Sequence, residues 1–287
     1  MKLASFQHAG RSRIGRVEGD HVVDLAAAAA TLPQEMVALL EAGAGAWAIA
    51  RDADGPRLPL ADVTLEAPLR RPPKILAVGL NYRDHAEEAG MEIPKVPMIF
   101  NKQSTSVHPP GAPFHLPRAS DKLDYEGELA FVIGRRCRHV PEERAHEVIA
   151  GYTIVNDVSV RDWQMRVPTF TMGKSFDTHC PMGPWIVSGD EIDPHTLAIR
   201  TWVNGELRQD SNTKHLIFDC FALVAHLTEA FTLEPGDVVA TGTPAGVGAA
   251  RKPRSYLEAG DEVRIAIEGI GELVNSVIEE PAETASF

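Results

Sequence analysis

The sequence predicts a β-rich α+β fold in which a small N-terminal domain precedes a larger one. Three observations predict it: short apolar runs of strand length alternate with turn residues, one segment shows a clear helical pattern, and a proline-rich stretch interrupts the chain near residue 70. A chain of 287 residues can form one large domain and one small one. We therefore predict a small domain at residues 1–70 and a larger domain at residues 71–287.

The first part of the chain has the pattern of a small α+β domain. Its apolar segments are short and are broken by glycines, which is typical of hairpins. Residues 26–30 and 33–40 are rich in alanine and leucine and indicate helix. Residues 70–73, Arg-Arg-Pro-Pro, predict a stiff linker, because proline fixes φ and removes a hydrogen-bond donor.

The larger domain is predicted to consist mostly of strands. Strand-like apolar runs cover residues 74–79, 129–133, 152–155, 185–187, 199–203, 238–240 and 263–267. Turn residues separate them, and Asn204-Gly205 is a strong hairpin signal. One helix is predicted at residues 217–231, because apolar residues recur there at helical spacing.

Composition and charge exclude several classes of protein. The formal net charge is −12, so the surface repels nucleic acids and anionic membranes. The three cysteines lie far apart, which disfavours a zinc site or a disulfide framework. No apolar run approaches the ~18 residues of a membrane-spanning helix, and the N-terminus lacks the pattern of a signal peptide. We therefore expect a cytoplasmic protein without nucleic-acid or membrane partners.

Three carboxylates of the larger domain are candidates for a metal site. Glu126 and Glu128 are two residues apart, so on a strand they would lie on the same face, where neighbouring carboxylates repel unless a cation separates them. Their spacing alone fits an exposed strand end better than a metal site. Asp157 ends another apolar run, where acidic residues are rare unless they are paired or bind a metal. Three carboxylates without a cysteine favour Mg²⁺, Mn²⁺ or Ca²⁺ over Zn²⁺.

A histidine and a glutamate follow the first predicted strand of the larger domain. If the chain after Asn81 turns helical, His85 and Glu88 are three residues apart and can touch. A carboxylate beside an imidazole orients it and raises its basicity, which suits a general base. A His–Glu pair on a helix is more often a solvated face, so these two residues alone leave both interpretations open.

Five motifs occur in a fixed order along the larger domain. They are V-G-L-N-Y-x-x-H-A-x-E, D-Y-E-x-E-L-A, N-D-V-S-x-R-D, G-K-S-F-D and T-G-T-P-A-G-V-G. Together they resemble the fumarylacetoacetate hydrolase family over residues 70–278, and especially its branch of acylpyruvate hydrolases and oxaloacetate decarboxylases. The resemblance implies a mixed β-roll or sandwich with a small N-terminal domain, and a homodimer.

The resemblance also implies roles for the residues that match these motifs. Glu126, Glu128 and Asp157 match the ligands of a divalent metal ion, for which Mg²⁺ and Mn²⁺ are the first candidates and Ca²⁺ a further one. His85 and Glu88 match a dyad that activates water.

Three further residues match positions that contact the substrate, and a fourth is a candidate. Lys174 matches a lysine that contacts the substrate or the transition state, and Gln164 matches a polar residue near a 2-oxo acid. Thr243 matches a carboxylate-binding position. Arg161 is a substrate-binding candidate that also suits a structural pair with Asp162.

The implied reaction is metal-dependent hydrolysis of a C–C bond in a small 2,4-dioxo acid of the acylpyruvate type. It gives pyruvate or a related 2-oxo acid and a carboxylic acid, with His85 deprotonating the attacking water. Two alternatives stay open: decarboxylation of an oxaloacetate-like acid, and isomerisation of a 2-hydroxy-dienoate from aromatic catabolism. A protein that only binds metal or an oxo acid is a weaker alternative. Unranked candidates for contact with the substrate's side group are His108, His115, Arg118, Lys122, Arg166 and Phe170.

Overall fold

Strands dominate the computed structural model, which describes residues 1–284. The strands are β1 (Lys2–His8), β2 (Arg11–Glu18), β3 (His21–Asp24), β4 (Arg57–Pro59), β5 (Thr64–Glu66), β6 (Ile75–Gly79), β7 (Met98–Lys102), β8 (Val107–His108), β9 (Phe114–Leu116), β10 (Leu123–Asp124), β11 (Gly127–Ile133), β12 (Ile149–Asn156), β13 (Ser159–Val160), β14 (Cys180–Ser188), β15 (Ala198–Val203), β16 (Glu206–Asn212), β17 (Val238–Ala240), β18 (Glu262–Ile267) and β19 (Gly271–Glu279). The α-helices are α1 (Leu25–Ala28), α2 (Met36–Glu41), α3 (Gly43–Asp52), α4 (Arg83–Ala89), α5 (Arg161–Gln164), α6 (Thr171–Lys174) and α7 (Cys220–Ala230).

The helical region predicted near the N-terminus is broken into short helices. Asp24 caps α1, since its carboxylate accepts hydrogen bonds from the amides of Ala26 (3.0 Å) and Ala27 (3.3 Å). The helix predicted from residue 33 begins only at Met36. Glu35 has an extended backbone, with φ −126° and ψ 146°, and so forms the N-cap of this helix.

A twelve-stranded sheet joins the N-terminal strands to those of the larger domain. Its order is β4-β3-β2-β1-β14-β12-β11-β17-β6-β7, with β5 beside β1 and β8 beside β14. Strand β1 of the N-terminal segment pairs with β14 of the larger domain in an antiparallel register, with Lys2 opposite Val187 and Leu3 opposite Ile186. Leu3 and Ile186 are buried in one apolar cluster, so the N-terminal segment packs on the larger domain as well as pairing with it.

A second, five-stranded sheet with the order β16-β15-β18-β19-β9 packs against the first. The core between them contains Leu129 and Phe131 of β11 together with Ile199 of β15 and Ile265 of β18, all fully buried or nearly so. Helix α7 packs on the same core and starts three residues later than predicted, because Asp219 caps it by accepting from the amides of the first turn at 2.9 Å. None of the described helices is long and apolar enough to cross a lipid bilayer.

The pairing of β11 with β12 places the predicted acidic residues together. Gly127 lies opposite Asn156 and Glu128 lies opposite Val155 in an antiparallel register. Glu126 precedes β11 directly, and Asp157 follows β12 directly, so the two residues meet where the strands end. The Asp157 amide donates to the Glu126 carbonyl at 2.9 Å, which fixes this approach.

Candidate metal centre and active-site cavity

Three buried carboxylates lie together at the ends of β11 and β12. Glu126, Glu128 and Asp157 are 6%, 1% and 0% exposed, and one oxygen of each lies within 4.8 Å of the others. The parity of β11 explains the first two, because side chains two residues apart on a strand share a face. The register of the β11–β12 pair explains the third.

Cationic side chains bind two of these carboxylates from either side. The Lys174 ammonium lies 2.7 Å from both Glu126 and Asp157, and the Lys102 ammonium lies 2.7 Å from the other oxygen of Asp157. The Arg161 guanidinium lies 2.6 Å from Glu126. Burial alone would raise the pKa of Glu126, but Lys174 and Arg161 lower it to about 2. Both carboxylates are therefore held in fixed positions.

Glu128 is the exception, because no cationic side chain of the described residues contacts it. One of its oxygens accepts a hydrogen bond from the Gly242 amide at 2.8 Å. Burial, and then the charges of Asp157 and Glu126, raise its pKa well above the usual range. A divalent cation between the three carboxylates would supply the positive charge that Glu128 lacks. Three carboxylate ligands suit Mg²⁺ or Mn²⁺, which prefer oxygen and keep positions open for water or substrate.

Helix α4 presents the predicted dyad to the same cavity. The His85 Nδ1 lies 3.4 Å from Glu88, one turn away. The Glu88 carboxylate also accepts from the Gly246 amide at 3.1 Å. With Nδ1 facing a carboxylate, Nε2 is the nitrogen left to take a proton. The side chains of both residues are partly exposed, so a substrate can reach them.

The glycine-rich loop at residues 241–248 donates backbone hydrogen bonds to protein carboxylates. The amides of Gly242, Gly246 and Gly248 donate to Glu128, Glu88 and Asp124. The loop therefore positions protein carboxylates.

Two of these positions accept only glycine. Gly242 and Gly246 have φ angles of +102° and +105°. A Cβ on Gly246 would lie 2.0 Å from the Arg208 carbonyl oxygen.

A cavity of about 700 Å³ opens over the carboxylates. A volume of this size suits a small organic ligand. Eight of the nine predicted site residues line it: His85, Glu88, Glu126, Glu128, Arg161, Gln164, Lys174 and Thr243. Asp157 is fully buried behind them. Of the six candidates for side-group contact, Lys122 and Phe170 line the cavity, whereas His108, His115, Arg118 and Arg166 do not.

The predicted substrate-binding residues differ in how free they are to bind a ligand. The Thr243 hydroxyl donates to the Gly127 carbonyl at 3.0 Å and accepts from Gln209 at 2.8 Å, so protein groups already hold it. Arg161 is paired with Asp124 as well as Glu126 instead of the neighbouring Asp162.

Gln164 is the freer of the polar residues on this wall. Its carbonyl oxygen accepts from Arg161 at 3.0 Å. Its amide nitrogen has no hydrogen-bond partner among residues 1–284 and can donate to a substrate oxygen.

Two structural roles could not be assigned from the sequence. Lys102 is 3% exposed and holds Asp157, which lies 55 residues away in the chain. Asp124 is fully buried and connects Arg161 to the amides of Gly248 and Ala249 at 2.8 and 2.9 Å. In the sequence, Lys102 is visible only as a lysine in a polar stretch after Phe100, and Asp124 only as the first residue of the acidic motif.

Residues 74–278 match the family model described as fumarylacetoacetate (FAA) hydrolase C-terminal, and residues 1–68 match the one described as Rv2993c-like, N-terminal. The chain belongs to the fumarylacetoacetate hydrolase family. The family and the β-rich α+β fold predicted from the sequence are both confirmed. Members of this family are enzymes.

Known relatives match nearly the whole chain. Oxaloacetate tautomerase fahd2, mitochondrial, of Xenopus laevis is 43% identical over 97% of this chain and 90% of the relative. Fumarylacetoacetate hydrolase from Exiguobacterium antarcticum is 39% identical, with a TM-score of 0.88 over 98% of this chain and 100% of that one. Maleylpyruvate hydrolase from Sphingobium sp. SYK-6, in complex with manganese (II) ion and pyruvate, is 36% identical, with a TM-score of 0.79 over the same shares.

Proposed function

We propose that this protein catalyses keto–enol tautomerisation of a small 2-oxo acid, with oxaloacetate as the first candidate substrate. The observation that carries the proposal is a proton-transfer group beside a set of hard-metal ligands. His85, oriented by Glu88, lines the same cavity as Glu126 and Glu128. Oxaloacetate is the first candidate because the Xenopus laevis relative, which is similar over nearly its full length, is named an oxaloacetate tautomerase.

Glu126, Glu128 and Asp157 would hold Mg²⁺ or Mn²⁺. A cation held there would supply Lewis-acid chemistry at the 2-oxo group and would make the neighbouring C3–H bond more acidic. Lys174 and Arg161 keep Glu126 ionised at neutral pH by lowering its pKa to about 2, and Lys102 and Lys174 hold the two oxygens of Asp157 at 2.7 Å. Glu126 is therefore ready for the metal, and a bound cation would supply the positive charge that Glu128 lacks.

His85 carries out the proton transfer in this proposal. Its Nδ1 faces the Glu88 carboxylate, so Nε2 takes the proton from C3 and delivers it to the 2-oxygen, which gives the enol; the same two transfers in reverse restore the keto form. Glu88 stabilises the imidazolium formed in between. The Gly246 amide holds Glu88 in place. The reaction breaks only a C–H bond and needs no water.

Gln164 donates to an oxygen atom of the substrate, and Lys174, which stays paired with Glu126 and Asp157, places its positive charge beside the same cavity. Lys174 is buried, which by itself would lower its pKa, but Asp157 and Glu126 raise it, so the ammonium stays charged. A fixed ammonium favours the negative charge that develops on the substrate when C3 loses its proton. Gln164 offers its free amide N–H at the partly exposed side of the cavity.

A second candidate is hydrolysis of the C–C bond of an acylpyruvate, as the sequence motifs imply. The same dyad supports it, because an oriented imidazole can deprotonate a water molecule as well as a carbon acid. The similarity to a structure named maleylpyruvate hydrolase also supports this candidate. Hydrolysis, decarboxylation and dienoate isomerisation stay predictions that product analysis separates.

One experiment compares these reactions directly. EDTA-stripped protein is mixed with oxaloacetate, acetylpyruvate or fumarylpyruvate, with and without Mg²⁺ or Mn²⁺. The enol is followed by ultraviolet absorbance, and pyruvate and CO₂ are measured as products. We expect metal-dependent acceleration of oxaloacetate tautomerisation, and its loss in His85→Gln. Release of pyruvate and an acid from a 2,4-dioxo acid, without tautomerase activity, would replace this proposal with the hydrolase.

The homodimer and the cytoplasmic location also stay proposals. Apolar side chains that suit a partner surface are exposed on two segments that line or flank the cavity; they include Met91, Val96, Met165 and Met172. Light scattering tests the dimer, and a mass of one chain at micromolar concentration would contradict it.

A further inference from the structure

Two cations at the solvent-facing side of the cavity have no role in the chemistry described above. Lys122 and Arg254 line the cavity together with Tyr256. The Lys122 side chain is 43% exposed, and Arg254 is also exposed, whereas the carboxylates beneath are buried. We call these three residues the rim.

The rim is held in place by the backbone. The Leu257 amide donates to the Leu123 carbonyl at 2.8 Å, and the Ser255 amide donates to the Gly248 carbonyl at 3.1 Å. The first bond fastens the loop that carries Arg254 and Tyr256 to β10, which Lys122 precedes, and the second fastens it to the glycine-rich loop. The Lys122 ammonium also lies 5.4 Å from the centre of the Tyr256 ring, a cation–π distance.

The rim cations are not committed to buried carboxylates. Within residues 1–284 the only carboxylate that pairs with Lys122 is that of Asp121, whose side chain is 83% exposed, and such a surface pair contributes little to stability. Arg254 has no ion-pair partner within residues 1–284. Asp162, an exposed acid that also lines the cavity, accepts from Ser120 at 2.5 Å. The other lining cations, Lys174 and Arg161, already bind carboxylates.

We propose that Lys122 and Arg254 bind the second carboxylate of a 2-oxo dicarboxylic acid and so make the protein prefer dicarboxylic to monocarboxylic substrates. The inference rests on the proposed function, because it places the first carboxylate and the 2-oxo group at the metal. An acidic protein needs local cations to capture a dianion, and the rim supplies two. Tyr256 orients Lys122.

The test compares two ligands that differ by one carboxylate. Pyruvate has the 2-oxo acid alone, and oxaloacetate adds a carboxylate at C3. Binding to the Mn²⁺-loaded protein is measured by titration for pyruvate and by displacement of pyruvate for oxaloacetate. The variants are Lys122→Met, Arg254→Met and the double variant. Lys214→Met, which removes an exposed lysine away from the cavity lining, is the matched control.

We expect the double variant to bind oxaloacetate about tenfold more weakly, with pyruvate affinity unchanged within about twofold. Lys214→Met should change neither affinity. Unchanged pyruvate binding also shows that the variants are folded and metal-loaded. Equal losses for both ligands, or no loss for either, would overturn the rim assignment.

Turnover separates this inference from the proposed function. Suppose that the wild-type protein does not tautomerise oxaloacetate, but the variants lose affinity for oxaloacetate and keep their affinity for pyruvate. The rim assignment then stands and the proposed reaction is wrong. If tautomerisation is present and the variants affect both ligands alike, the reaction stands and the rim is wrong.

Discussion

The buried floor of the cavity and its solvent-facing rim hold charge in two different ways. In the floor, formed by Glu126, Glu128 and Asp157, two of the three carboxylates are paired with cations at 2.6–2.7 Å. At the rim, Lys122 touches only an exposed aspartate and Arg254 has no such partner in the described chain. Paired charges keep a geometry, and unpaired charges are free to bind a ligand. The floor thus suits the chemistry, and the rim suits the choice of substrate.

The largest effect on stability should come from breaking the pairing in the floor. Asp157→Asn removes the carboxylate that Lys102 and Lys174 share, and Lys102 is then left as a buried cation without a carboxylate. We expect the free energy of unfolding of the metal-free protein to fall by ~3–5 kcal/mol. Denaturant unfolding measures it. An unchanged midpoint would mean that the pairing does not hold the floor together.

The next effect concerns activity. Glu88→Gln removes the carboxylate that orients His85, while the Gly246 amide keeps an acceptor. We expect kcat to fall by ~10²–10⁴-fold with Mn²⁺ affinity unchanged, because the dyad moves protons and does not bind the metal.

The neighbouring glutamate provides a matched control for that loss. Glu87→Gln changes an exposed side chain of the same helix that does not line the cavity. It should keep full activity. An equal loss of kcat in the two variants would show that activity depends on the negative charge of α4 and not on the His85–Glu88 dyad.

Acid should lower the stability of the fold through one buried histidine. His179 is fully buried, and burial lowers its pKa to about 3. In the unfolded chain a histidine titrates near 6.5, so below that pH the unfolded state takes up a proton that the folded state excludes. The stability contribution is complete above pH 6.5 and is lost as the pH falls. We expect a loss of about 2 kcal/mol between pH 7 and pH 5 from this residue.

Unfolding at several pH values measures that contribution. Stability should depend less steeply on pH in His179→Gln than in the wild-type protein between pH 5 and 7. If both proteins lose stability equally over this range, His179 is not the source.

The smallest expected effect distinguishes Glu128 from the other two ligands. Glu128→Gln removes a buried carboxylate without a cationic partner and keeps an acceptor for the Gly242 amide. Without metal, the free energy of unfolding should stay the same or rise by up to about 1 kcal/mol, since burial opposes this charge. Thermal melting in EDTA measures it, and a clear loss of stability would contradict the account of Glu128 as the uncompensated ligand.

The sequence indicates side-chain direction better than it indicates partners. Strand parity, which is local, placed Glu126 and Glu128 on one face, but the metal site was predicted only with Asp157 and the family motifs. The helix carrying His85 was a condition of the dyad prediction. The partner of Asp157 could not be predicted, since Lys102 meets it only through packing of distant segments. The role of the 241–248 loop was also hidden, because a glycine-rich motif shows that amides are accessible but not which carboxylates reach them.

The central claim is that the floor is a divalent metal site completed by Glu128, and a Mn²⁺ titration of EDTA-stripped protein tests it most directly. Calorimetry of wild-type, Glu128→Gln and Glu88→Gln protein should show one saturable site per chain in the wild type. That site should be lost in Glu128→Gln and kept in Glu88→Gln. Retention of the site in Glu128→Gln, or no saturable binding in the wild type, would contradict the account.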